Sequence, residues 1–575
     1  MPQKAGITHA YSPGLLNLFR INDTRFLSGK IIFNRYSLWS LLLVGMFLFS
    51  CVSRHKYEDK KIFRYNEASD IMTLDPAFAR DQAHIWVCNQ LYNGLVQLDE
   101  NLEVQPSVAK SWEISKDGLT YVFHLRNDIF FHRDKVFGGK KRKVVAADFV
   151  FSFRRLADPA TASPGAWVLS PVARADDQLA VSTPNDTTLI IELARPFPPF
   201  LSILSMPYCS VLPHEAVEFY KSEFRKHPVG TGPFYLKNWE ENIKMVLRKN
   251  EDYFEKKNNV RLPLIDAVAI TFVEDKMTAF LEFTKGNLDF LSGIYPSYKD
   301  ELLSRKGELR KKYTEKFRMI SVPYLNTEYL GILVDTSLPV VRENPLKELR
   351  LRQAVSYGFD REKMIRFLRN GIGIPGNKGI IPKGMPAFDE KASYGYVYDP
   401  DKSRELIRQL KEEGYPLEGV KLVTTSDYLD LCKFVQAQLD EVGLTIEIEV
   451  VPPAVAIELR AHSRVNFFRA SWIADYPDEE NYLSLFYSKN FAPDGPDYTH
   501  YANPVFDSLF EKAYLENDRL KRSRMYREMD SLVMTEAPVV ILYYDEAVRF
   551  VNKRIKGMKV NPINLLELKT VEISD

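Results

Sequence analysis

The sequence predicts an α/β protein of more than one domain, on three observations. The first is a helix–glycine–strand unit. Leu429 to Val442 has helical spacing, Gly443 stops it, and Thr445 to Val451 alternates as a strand. Glycine ends helices because it takes the left-handed conformation with no Cβ to clash. The second is that helical and strand patterns interleave along the chain instead of segregating, as α/β layering requires. The third is length. Residues 52–575 exceed what one hydrophobic core encloses, so two or three domains or lobes are expected.

In chain order, Ile62 to Tyr65 reads as a strand, Ala83 to Tyr92 as a helix and Gly94 to Leu98 as a second strand. Asp117 and Gly118 form a hairpin signal. After it Tyr121, Phe123 and Leu125 alternate with Val122, His124 and Arg126, as in a half-buried strand. Ala146 to Leu156 reads as a helix with Asp148 near its start and Pro159 just past its end, and Thr188 to Leu193 as a β-branched strand. Lys347 to Asn370 reads as helices with Arg350, Arg352 and Arg361 on polar faces. Arg519 to Thr535 is a helix ended before Pro538, and Val539 to Tyr544 a buried strand.

Composition sets aside several function classes. Hydrophobic content of 45% and charged content of 27% are those of a globular protein. A formal net charge of +1 gives no broad basic field, so no nucleic-acid partner is expected. The basic run Lys140 to Lys143 follows Gly138 and Gly139 and reads as a solvated loop. Four cysteines occur at 51, 88, 209 and 432. With Cys51 set apart below, three remain, which argues against a disulfide framework and for buried free thiols.

No catalytic or metal-ligating constellation stands out. There is no Gly-x-Ser-x-Gly elbow, no Cys-x-x-Cys and no phosphate-binding loop, and the sequence after His214 and Glu215 lacks the second histidine of a zinc protease. Gly371, Gly373 and Gly376 spell GxGxxG, but the string follows a helix and contains Pro375. A dinucleotide site needs it after a strand and opening a helix. A mobile loop is the expected alternative. No enzyme, cofactor or metal site is expected.

Leu38 to Ser50 is an uncharged apolar run after Lys30 and Arg35. A membrane-spanning helix needs about 20 apolar residues, so this run has instead the layout of a signal-peptide core. It ends Leu48, Phe49, Ser50, Cys51, which resembles the bacterial lipobox and implies lipidation of Cys51 after cleavage before it. Residues 1–51 are therefore expected to be leader and signal peptide, 52–61 a tether, and the mature chain to sit on the outer side of a membrane in the cell envelope, periplasmic or extracellular.

Six ordered segments resemble the family 5 extracellular solute-binding proteins. They are Leu74-Asp75-Pro76 with Tyr92 to Leu95; Val108 to Trp112 running through Asp117 to Arg126 to Phe131-His132; Ala147 to Phe153 with Asp158 to Pro164; Gly230 to Phe234 with Trp239 and Asn250 to Tyr253; Leu349 to Ala354 with Asp360-Arg361; and Arg469 to Pro477. The resemblance implies an α/β fold of two lobes, with an extra domain in the first lobe, joined by two crossover strands and closing on ligand by hinge motion. The first lobe would be 62–324, with the extra domain at about 95–222, and 544–575 would return to it. The second lobe would be 325–543.

The same resemblance implies a receptor that binds oligopeptides between the lobes and delivers them, as a monomer, to an ABC permease of the inner membrane. Asp475 matches the aspartate that takes the peptide amine. Ser471, Trp472 and Ile473 match the strand edge and wall that hold the extended backbone, and Arg469 an arginine for the peptide carboxylate. In the opposite lobe Arg80 and Asp81 fall in a peptide-facing loop, and Trp167 and Tyr543 are candidate pocket aromatics. Two alternatives stay open: the same fold binding another solute, such as a nickel chelate or an oligosaccharide, and a peptide-sensing receptor without import.

Overall fold

The computed structural model describes residues 60–574. Cys51 and the expected leader and most of the tether lie outside the described residues. One 11-stranded mixed sheet organises the molecule. Its strands in chain order are β1 (Ile62–Asn66), β2 (Phe234–Glu240), β3 (Lys244–Lys249), β4 (Ala267–Thr271), β5 (Phe290–Ser292), β6 (Phe317–Ile332), β7 (Ile374–Pro375), β8 (Lys421–Thr424), β9 (Glu447–Val450), β10 (Phe467–Ile473) and β11 (Val539–Asn552). Across the sheet they run β2-β3-β4-β1-β5-β11-β6-β10-β8-β9, with β7 beside β11. The helices used below are α1 (Gln82–Leu91), α2 (Ala146–Ala157), α3 (Leu349–Tyr357), α4 (Arg361–Leu368), α5 (Leu429–Glu441), α6 (Pro504–Leu515) and α7 (Arg519–Glu536).

The two longest strands, β6 and β11, run antiparallel to each other from Phe317↔Asn552 to Gly331↔Val539. One end of this ladder continues into β5 through Phe290↔Val551, and the other into β10 through Ile332↔Phe467. The register slips between Pro323 and Thr327. The ribbon thus crosses between two lobes, each with its own packed interior. The sequence pattern stops β11 at Tyr544 because Asp545 and Glu546 interrupt the apolar run. In the fold both acids are accommodated: Asp545 pairs with Arg369, and Glu546 accepts the Gly373 amide at 2.8 Å.

A separate four-stranded antiparallel sheet forms the extra domain, in the order Ala109–Ile114, Thr120–Leu125, Thr188–Glu192, Val181–Asn185. Its first turn holds Gly118 at φ 72°, and Tyr121, Phe123 and Leu125 are buried while their neighbours are not. α2 follows; the Asp148 carboxylate accepts the Val145 amide at 2.8 Å and pairs with Arg142 at 2.7 Å.

Several segments that carry the family resemblance turn out to hold the chain together. His132 is buried and locks the glycine segment: Gly230 N donates to its Nδ1 at 3.3 Å, so Nε2 carries the proton and donates to Gly232 O at 3.0 Å. Burial pushes the imidazole pKa down to about 4, so this neutral tautomer persists. A Cβ on Gly230 would meet Leu91 O at 2.0 Å, which explains glycine where the segment crosses the end of α1. Asp75 caps the turn at Pro76 and bonds Arg155.

Three expectations are corrected. Arg350 is on a polar face, paired with Glu348 and Glu413, but Arg352 and Arg361 are buried. Arg352 donates to the carbonyls of Leu346, Lys347 and Glu536, and Arg361 to those of Ile541 and Ser356. A guanidinium bonded to backbone carbonyls that have no other donor can be buried without a carboxylate. Within the glycine string Ile374 and Pro375 form β7, paired to Tyr544 and Tyr543 of β11, so the string is not a free loop. The strand after Gly443 (φ 92°) is shortened to Glu447–Val450. Cys88, Cys209 and Cys432 are buried free thiols, as expected.

Candidate functional site

A cavity of about 430 Å³ lies between the lobes. One wall is α1 with the preceding Arg80 and Asp81. The other is the end of β10 and the turn after it, Ile473 to Tyr476. Tyr324 of the crossing strand lies between them, and the C-terminal segment from Ile563 to Lys569 lines the cavity as well.

β10 reaches the cavity with one edge bare. Its whole length pairs with β6, but its other neighbour, β8, pairs only at Phe467 and Phe468. Among the described residues, no strand lies beside the second edge from Arg469 to Ile473. One side-chain donor touches it: Arg460 Nη1 bonds Arg469 O at 3.0 Å.

Asp475 follows on this wall. Its only hydrogen-bond partner is Asn481, whose Nδ2 reaches Oδ2 at 3.4 Å, and it forms no ion pair among the described residues. The residue is open to the water of the cavity but set deep among protein atoms, and this desolvation raises its carboxyl above the ordinary value, with Asn481 opposing. Asn481 is the residue that sequence reasoning missed. Its Oδ1 also accepts Trp472 Nε1 at 2.9 Å and the Asp475 amide at 3.2 Å, so one buried amide orients both.

The other candidates divide. Ile473 lines the cavity and is 48% exposed. Ser471 is half-buried, opposite Glu328. Arg80 lines the cavity with no ion pair among the described residues. Asp81 also lines it, but caps α1: it accepts the His84 amide at 3.2 Å and lies 2.6 Å from His84 Nδ1. Burial opposes the charge, yet these bonds hold its carboxyl below the ordinary value. Trp167 is half exposed and faces Tyr476, ring centroids 6.2 Å apart.

Arg469 and Tyr543 stand away from the cavity, in a charged layer of the sheet. Arg469 pairs with buried Glu328 and lies over the Tyr428 ring. Burial pulls its guanidinium down, but Glu328 more than offsets this. Its Nε is buried without a partner. Tyr543 is 2% exposed and accepts Arg369 Nη1 at 2.9 Å. Among the described residues no group of acidic, histidine or cysteine side chains could hold a metal ion. No helix among them is long and apolar enough to cross a membrane.

A family model described as bacterial extracellular solute-binding proteins, family 5 Middle, matches residues 103–494. The chain belongs to this family of solute-binding receptors of ABC transporters, which are not enzymes. It is 25% identical over 499 residues to the dipeptide-binding protein of Escherichia coli K12, covering 84% of this chain and 89% of that one. It is 27% identical over 506 residues to the glutathione-binding protein GsiB of Escherichia coli O1:K1, covering 86% and 91%. Among solved structures it superposes on DppA from Helicobacter pylori in complex with the peptide STSA, with TM-score 0.72, 26% identity and coverage of 90% and 100%. HbpA2 from Haemophilus parasuis gives TM-score 0.75 at 22% identity, covering 89% and 100%. The two-lobed α/β fold is thereby established.

Proposed function

We propose that the protein is a lipid-anchored receptor on the outer side of a membrane, tethered at Cys51, that captures oligopeptides between its lobes and delivers them to an ABC permease. The observation that carries this reading is the Asp475 carboxylate, without a cation among the described residues, at the end of a bare strand edge. An extended peptide needs that pair of features: main-chain partners along β10 and a carboxylate for its terminal ammonium. Burying the ammonium costs several kcal/mol of desolvation, which a partner this well placed offsets. Ser471 to Ile473 bind the backbone, and Trp472 is fixed behind them by Asn481. Arg80, across the cavity and without an ion pair among the described residues, suits the peptide carboxylate of a short ligand, while Arg469 supports the strand through Glu328.

The lobes in this reading are 62–324 with 544–575, including the extra domain at about 95–222, and 325–543. They close about the register slip at Pro323 to Thr327. Relatives named for a dipeptide and for glutathione, and a relative solved in complex with the peptide STSA, support a peptide as the solute.

The test is thermal unfolding with peptide pools. A ligand at 100 times its Kd adds about 2.7 kcal/mol of stability. Free-amine pools should raise Tm, N-acetylated pools should not, and Asp475→Asn should remove the response. No shift with any pool, or an equal shift with acetylated peptides, would overturn the proposal.

A further inference from the structure

The cavity does not stop at the cleft. It runs under α1 to the C-terminal segment, where Leu565, Glu567 and Lys569 line it. This segment is held rigidly. Asn89 and Gln90 of α1 both donate to Leu566 O, at 2.9 and 2.8 Å, and Trp86 Nε1 donates to Asn564 O at 2.8 Å. Leu566 and Leu568 are fully buried on either side of Glu567, which is left on the cavity floor.

The charges at this inner end do not cancel. Lys569 is committed to Glu255 at 2.9 Å and to Gln97 Oε1 at 2.7 Å. Nearby Lys559 is committed to Glu100 at 2.6 Å. Among the described residues Glu567 forms one ion pair, with Lys569 at 3.9 Å, the same ammonium that Glu255 already holds, and beyond it feels Lys559, itself held by Glu100. One carboxylate is therefore in surplus, its side chain 28% exposed. Leu98 and Leu565 flank the approach and offer apolar wall for an aliphatic stem.

Building on the peptide-receptor reading, we propose that the inner end of the cavity is a subsite for a cationic side chain, with Glu567 selecting peptides that carry lysine or arginine. The stem packs on Leu98 and Leu565, and the head meets a carboxylate whose position is fixed before binding. Preorganisation matters because no side-chain ordering on the protein then opposes the contact. An acidic side chain at the same position meets surplus negative charge and is disfavoured.

The experiment is titration calorimetry of the purified protein with Ala-Xaa-Ala, where Xaa is lysine, arginine, norleucine, Nε-acetyl-lysine or glutamate. The lysine and arginine peptides should bind about fivefold more tightly than norleucine, as a partly exposed ion pair gives. Acetyl-lysine should match norleucine, and glutamate should be weakest. Glu567→Gln should bring the lysine-to-norleucine ratio near one. Equal binding of lysine, acetyl-lysine and norleucine by the natural protein overturns the subsite but leaves the receptor reading standing. So does a lysine preference that survives Glu567→Gln. Failure of every peptide to bind overturns both. The acetyl-lysine comparison needs no variant and so decides the matter even if Glu567→Gln does not fold.

Discussion

Phe197 stacks on Tyr514 of α6 with ring centroids 5.3 Å apart and planes 23° from parallel. The two residues come from different lobes, and Arg195 lies over the same tyrosine ring at 4.8 Å. A second aromatic contact, Trp167 with Tyr476, joins the lobes beside Asp475. Both tyrosines donate their hydroxyls to one buried carboxylate, Glu480. One side chain thus sets both tyrosines used in these contacts.

Removing the stack should loosen closure. Aromatic pairs contribute about 0.5–1.5 kcal/mol beyond their area, so Phe197→Ala is expected to raise the peptide Kd about fivefold, mostly through faster release. Stopped-flow dissociation measures it; an unchanged off-rate would separate this contact from closure.

Stability should fall as pH rises from acid to neutral. Burial raises the carboxyl of Glu480 to about 7 against the opposing bonds from Tyr476 and Tyr514, and burial likewise raises Glu479 and Asp530 to about 7. Glu480 also faces Asp478, which raises it further, and Arg195, which lowers it. The folded protein then holds protons that the unfolded chain has lost, so stability is full below the ordinary value of 4.5 and declines up to about 7. Tm is expected to be lower at pH 8 than at pH 5.5. Glu480→Gln should flatten part of that slope; a Tm that climbs with pH would contradict it.

Arg361 should be a structural requirement despite its charge. Its guanidinium bonds Ile541 O at 2.6 Å and Ser356 O at 2.9 Å, lies 4.2 Å from the Phe359 ring, and burial pushes its pKa down to about 9. Arg361→Met keeps bulk but leaves two buried carbonyls unbonded, at a cost of about 2–4 kcal/mol. The urea midpoint should drop clearly, and an unchanged midpoint would show that those carbonyls find other donors.

The thiols should be inert in the folded protein. Cys88, Cys209 and Cys432 are all buried, and burial pushes Cys209 up to about 12 and the other two above the ordinary value. Thiolate is the reactive form. Iodoacetamide followed by peptide mass mapping should leave these three unlabelled until denaturant is added.

Much of the fold is legible in sequence because its signals are local. Gly118 and Gly443 take positive φ where turn and helix end require it, and Tyr121 to Leu125 alternate as their burial does. Arg352 and Arg361 misled because a helical period shows which residues share a face, not whether that face meets carbonyls or water. Asp545 and Glu546 hid half of β11 for the same reason: their partners, Arg369 and Gly373, lie far away in the chain.

By itself the sequence determined the class of fold, the family and the segment from Arg469 to Asp475 that carries the bare strand edge. Tertiary structure alone decided which charges there are free. Arg469 meets Glu328 across 141 positions, and Gln90 holds Leu566 across 476. Asp475 and Glu567 keep charge to spare because the cations Arg469 and Lys569 are held by Glu328 and Glu255. Such pairing depends on which side chains the folded chain brings within a few ångströms, and at those separations no local pattern records it.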